Sequence, residues 1–140
     1  MLRYLIVSIG SGILFGVLDG VLHANPLARR LFQVYEPIAR TSVNAPAGVI
    51  IDLAYGFALA GMFLLLYPCL PGASGLVKGL SFAAGVWFLR VVMSAASTWM
   101  MFRVPLSTIA YGVGAGLVEM LVLGVLYGVT IGTRFADASS

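Results

Sequence analysis

Residues 2–24, LRYLIVSIGSGILFGVLDGVLHA, form one apolar run that is interrupted near its end by Asp19 and His23. A helix needs about 20 residues to cross ~30 Å of hydrocarbon at ~1.5 Å per residue, and this run is long enough. Three more such runs follow, over about 45–67, 76–101 and 106–131. The expected fold is therefore all-α: an integral membrane four-helix bundle of two antiparallel hairpins, with residues 1–140 as a single multi-pass membrane domain. Four crossings put both termini on one side.

Composition agrees with that solvent. Hydrophobic residues make up 61% of the chain and charged residues 9%, against roughly 25% charged in an average soluble domain. A water-soluble fold of this make-up would be hard to keep in solution. The net charge is only +3 and no basic-aromatic interleaving occurs, so no nucleic-acid partner is expected and the arginines suit lipid headgroups instead. The single Cys69 excludes an intrachain disulfide, a two-cysteine zinc site and a CxxC redox pair. Arg3 followed by apolar residues begins like a secretory leader. Asp19 breaks that stretch, however, and no small-x-small cleavage signature follows, so the segment is expected to stay as a span.

Helix punctuation delimits the spans. Asn25 before Pro26, Asn44 shortly before Pro46, and Pro105 all suit cap or first-turn positions, while Pro68, Pro71 and Gly72 close the second span. Tyr4, Tyr67 and Tyr127 are expected at one headgroup level and Phe32, Tyr35, Trp99 and Phe102 at the other, with Trp87 packing deeper. The one sizeable loop, 25–44, carries Leu27, Leu31 and Val34 at i, i+4 and i+7. That spacing predicts a short interfacial helix over about 26–36, capped by Asn25 and ended by Pro37, that serves as a membrane-surface connector or docks lipid or a partner. Arg29, Arg30 and Arg40 are its expected lipid contacts. The side bearing Arg29, Arg30, Arg40 and Arg103 outweighs that bearing Arg3, Lys78 and Arg134, which assigns the Arg29 side to the cytoplasm.

Small residues mark the packing faces. Ser8, Gly12, Gly16, Gly20 and Ala24 recur every four residues in the first span, and Gly112, Gly116, Gly124, Gly128 and Gly132 do so in the fourth, with Met120 interrupting. In lipid, such stripes let backbones approach closely, so that dispersion contact replaces the missing hydrophobic drive. The partner face can belong to the same chain, to another copy or to a different membrane subunit.

Four charge-capable side chains remain inside the spans: Asp19, Asp52, Arg90 and Glu119. A charge at bilayer depth costs roughly 2.5–3.5 kcal/mol on insertion scales, so these groups must face protein, water or one another. Asp19 and Asp52 both lie roughly 8–10 Å below the same surface by helical rise. With His23 one turn beyond Asp19, the expected polar cluster is Asp19, His23 and Asp52. Arg90 and Glu119 each stand about halfway along their spans and are expected to form an ion pair. Breaking such a pair leaves an uncompensated charge at a cost of about 3–5 kcal/mol. Imidazole and two carboxylates can hold a divalent ion, but a D-x3-H pair is common on helices and no second histidine is present. No metal or cofactor is therefore assigned.

Nucleophile-base sets and phosphate-cradling glycine loops are missing, since the glycines sit inside spans, and no enzyme activity is expected. Glycine stripes, short loops and near-paired charges suit a packing or accessory subunit of a larger membrane assembly, self-associating or joined to other subunits. The alternative is a small oligomeric proton- or cation-coupled transporter or channel that uses the intramembrane carboxylates.

Overall fold

The computed structural model describes residues 1–39, 41–42 and 44–132. The expected lipid contact of Arg40 and the part of Arg134 in the charge bias lie outside them. Every regular element among the described residues is helical: α1 (Leu2–Ala24), α2 (Pro26–Phe32), α3 (Ala45–Leu66), α4 (Gly75–Val86), α5 (Met93–Met101) and α6 (Leu106–Thr130). A 3₁₀ turn, Gln33–Ile38, extends α2 through Pro37, another, Tyr67–Cys69, extends α3, and a π-helical turn, Trp87–Val92, joins α4 to α5. Four segments are long and apolar enough to cross a membrane: Leu2–Ala24, Ala45–Cys69, Gly75–Met101 and Leu106–Thr130. They fit a multi-pass membrane protein. Large apolar side chains such as Ile13, Leu65, Leu89 and Met100 face outward, where lipid tails rather than water can accept them.

The caps follow local chemistry. The Asn25 side chain accepts from the Ala28 amide at 2.9 Å and the Asn44 side chain from the Ala47 amide at 3.2 Å. Each satisfies an amide that the first helical turn leaves without an intrahelical acceptor. Ser74 does the same for Val77 at 3.3 Å, opening α4. Gly72 holds φ +132° in the link before it, a conformation that strongly favours glycine.

Two close backbone seams organise the packing. Along the first, Tyr4 donates to the Phe57 carbonyl, Gly56 lies against the Ser8 carbonyl and Gly12, and Gly12 lies against Leu53. The sequence numbers run in opposite directions, so α1 and α3 are antiparallel. Along the second, Gly75 meets Gly128 and Gly132, Gly79 meets Gly124, and Gly116 meets Val91, again in opposite order. A Cβ on Gly12 would stand 2.8 Å from the Leu53 Cα, and one on Gly128 would stand 2.6 Å from the Gly75 carbonyl oxygen. No side chain of any size fits those gaps. Gly20 and Gly112 differ from the rest of their stripes, because nothing would lie within 4 Å of a Cβ there. Among the described residues they make no close interhelical contact.

An aromatic core closes the end of the molecule opposite α2. Phe63 and Tyr127 are fully buried and stack with their ring centroids 5.8 Å apart, and Phe82 meets both edge-on. Tyr67 packs on Phe63, donates from its hydroxyl to the Gly132 carbonyl at 2.9 Å, and carries Lys78 over its ring. The headgroup belt expected of Tyr67 and Tyr127 is thus corrected: both rings face inward, because the glycine seam beside them leaves room for large side chains between the helix pairs. Trp99 and Phe102 are exposed.

The seams make a size-specific prediction. Gly56→Ala drives a methyl group into the backbone of α1 and should destabilise the protein by about 1–3 kcal/mol, read from its unfolding midpoint in a detergent titration. Gly10→Ala, whose added methyl meets nothing within 4 Å, should leave that midpoint in place.

Candidate functional site

At the α2 end the two helix pairs part, and the π-helical turn explains how. The Met93 amide reaches back to the Phe88 carbonyl, five residues earlier, which widens the helix by one residue. Trp87 braces the same turn by donating its indole N–H to the Val113 carbonyl at 3.0 Å. Beyond it α5 keeps its main packing against α6 and makes no extensive contact with α1 or α3. The wedge left between α1 and α5, with α6 behind it, is an open vestibule of about 490 Å³. From Thr108 to Glu119 its α6 wall spans 12 residues, roughly 16 Å of helical rise.

Its ionisable groups come from three spans. From α1, the His23 Nδ1 lies 3.0 Å from both the Asp19 carboxylate and the Asp19 carbonyl oxygen. A carbonyl can only accept, so Nδ1 carries the hydrogen and donates it. The two side chains keep 37% and 53% of their surface exposed; an ion pair this open contributes little by itself. From α6, Glu119 is only 4% exposed, and its Oε1 has no hydrogen-bond partner. One ligand-type atom each from Asp19, His23 and Glu119 lies within 4.8 Å of the others. From the π-helical turn, the Arg90 guanidinium lies over the Tyr55 ring at 4.4 Å and the Phe15 ring at 5.0 Å. Cation–π contact with two rings offsets part of its desolvation.

Helix α2 packs beside the mouth. Thr108 donates to the Leu31 carbonyl at 2.8 Å, Tyr111 donates to the Leu22 carbonyl, and the Asn25 amide donates to the Tyr111 hydroxyl at 2.7 Å. Phe32 then lies against His23 and Tyr111, with Tyr35 stacked beside it. The Phe32 and Tyr35 rings line the vestibule. Arg29 and Arg30 occupy the last turn of α2 and are exposed.

Two expectations need correction. The direct Arg90–Glu119 ion pair does not form: both residues line the vestibule, but the guanidinium is taken up by the aromatic rings, and no bond of 4.0 Å or less joins it to the carboxylate. Nor does Asp52 complete the cluster with Asp19 and His23. Its carboxylate lies across Gly16, where a Cβ would stand 2.6 Å from Oδ2, and it lines a separate groove with Val17 and Val49. Asp52 shares the depth of Asp19 but not its direction, and Glu119 takes the third place. Tyr55, Tyr111 and Thr108 were passed over in sequence. Their helical positions alone gave no sign that they would meet α1, α2 and Arg90.

Comparison of the chain with family models, curated proteins and solved structures found no match.

Glu119 separates a structural role from a binding one. Removing the charge of a closed buried ion pair would cost about 3–5 kcal/mol, whereas an unpartnered carboxylate is itself a burden on the fold. Glu119→Gln should therefore leave the unfolding midpoint unchanged or raise it, as measured by detergent titration beside the wild type.

Proposed function

We infer that this chain is a four-helix membrane bundle that binds protons or small cations in its vestibule and carries them across the bilayer. The single observation behind this reading is the Glu119 carboxylate, buried without a hydrogen-bond partner and facing the water-accessible Asp19–His23 pair. Buried carboxylates that only stabilise a fold are hydrogen-bonded or paired. Ionisable groups inside a membrane that are neither are characteristic of pathways.

The shape narrows the mechanism. The vestibule is open at the α2 end, and beyond Glu119 the way is blocked by Met120, Leu123, Phe63 and Tyr127, each 2% exposed or less. A continuous channel would need an open route past those side chains. A one-sided cavity suits a carrier that alternates between two openings. Arg29 and Arg30 stand at the open end, so the arginine bias makes the vestibule face the cytoplasm, with these side chains held against lipid headgroups.

The reading distinguishes the carboxylates. In proteoliposomes carrying the wild-type chain, an imposed gradient should drive a proton or small-cation flux. Glu119→Gln and Asp19→Asn should each lower it by about 100-fold or more, the low end of what positioned proton-transfer groups contribute. Asp52→Asn should leave it near the wild-type rate. A flux that survives Glu119→Gln but is lost with Asp52→Asn would reject the vestibule as the route.

A second reading, an accessory subunit without catalytic activity that packs against copies of itself or other membrane chains, draws on Gly10, Gly85 and Gly114. They are exposed, and a Cβ would meet nothing within 4 Å. Small outward positions of this kind allow a second backbone to approach. Recovery from native membranes in mild detergent as a stable complex, with no flux in liposomes, would favour it over the carrier.

A further inference from the structure

We propose that Asp19, His23 and Glu119 form a binding site for a divalent first-row transition-metal ion of the zinc class at the inner end of the vestibule. The proposal deepens the carrier reading by naming its cargo, and rests on it for that role alone.

The donor set favours such an ion. Imidazole suits zinc and its neighbours, carboxylates complete the site, and the cluster contains no thiolate that would select a softer metal. Magnesium, which holds its waters tightly and prefers oxygen, has little use for the imidazole. Because the Asp19 backbone carbonyl accepts from the His23 Nδ1–H at 3.0 Å, the lone pair is on Nε2 and the Asp19 carboxylate is left for the ion. A histidine that ligates a metal through one nitrogen while the other is held by a carboxylate or carbonyl is a recurrent arrangement. The buried Oε1 of Glu119 has no competing donor to give up.

Distances and charge agree. Around a tetrahedral zinc ion, neighbouring ligand atoms stand roughly 3.4 Å apart, as bonds of ~2.0–2.1 Å require. One ligand-type atom of each side chain already lies within 4.8 Å of the others, and rotation of the imidazole and the two carboxylates covers the remaining difference. Glu119 is buried while Asp19 and His23 are partly exposed in the open vestibule, so water or an entering ligand can fill the fourth position. The two carboxylates of the cluster supply negative charge to the cation, while Arg90 is held over Tyr55 and Phe15 and out of the ligand set.

The test uses the full chain purified in mild detergent. Zn²⁺ is titrated in competition with a fluorescent chelator, and Co²⁺ is added separately to read visible d–d absorption. One ion per chain is expected. Glu119→Gln and His23→Gln should each weaken Zn²⁺ binding by at least about tenfold, Asp52→Asn should not weaken it, and wild-type affinity should fall as pH is lowered, because protons compete for the same ligand atoms. Circular dichroism checks that each variant keeps its helical content; if a variant does not, wild-type stoichiometry and the Co²⁺ spectrum decide. Absence of saturable Zn²⁺ binding by the wild type, or equal binding by folded Glu119→Gln and His23→Gln, overturns the site. Zn²⁺ binding without any flux in liposomes would keep the metal site and overturn the carrier reading. Proton flux that requires Glu119 in a chain that binds no Zn²⁺ would do the reverse.

Discussion

Backbone-to-backbone contact at glycine is the interaction from which the rest of the structure follows. Lipid offers apolar side chains no incentive to leave it, so helices in a bilayer are held together by how closely they can approach. Gly12 against Leu53, and Gly75 and Gly79 against Gly124 and Gly128, bring main chains into direct contact. The second seam is concentrated in the half of α4 and α6 away from α2. There the gaps between the helix pairs are narrow enough for Phe63, Phe82 and Tyr127 to fill. Toward α2, the π-helical turn and the branched Val91 beside Gly116 replace glycine-on-glycine contact, and the vestibule opens where the seam stops.

Two environments therefore occupy one short chain. In the tight half, the aromatic rings meet in stacked and edge-on pairs that strengthen packing beyond burial alone. In the open half, Glu119 is kept without a partner and Arg90 is satisfied by ring faces instead of by an anion. A bundle under selection for stability alone would pair the two or replace both with apolar residues. Keeping them apart leaves the buried Glu119 Oε1 without a partner, which costs stability.

Helix placement was readable from sequence because it depends on one-dimensional quantities: run length, proline and asparagine punctuation, and the spacing of small residues. The four spans begin and end within a few residues of their expected limits, and Asn25 caps α2 as expected. Azimuth was much less readable. Depth counted from a span end puts Asp19 and Asp52 level, but a helix has sides, and only the packing of Gly16 under Asp52 shows that the second carboxylate points elsewhere. Arg90 escaped for a different reason. Counting at ~3.6 residues per turn breaks down across a π-helical turn, and nothing in WFLRVV announces one. Tyr67 and Tyr127 were misplaced because a tyrosine near a span end suits a headgroup belt and an aromatic core equally well until its neighbours are known.

The cross-links at the two ends have a mechanical corollary. At one end, Asn25, Tyr111 and Thr108 lash the first connector to the start of α6; at the other, Tyr67 and Lys78 tie the tail of α3 to α4 and to Gly132. These ties hold both tips of α6 and the start of α4, whereas α5, past the looser π-helical coil, packs mainly on α6. Bending at that coil would swing the Arg90 guanidinium relative to Glu119 while both clamps stay shut.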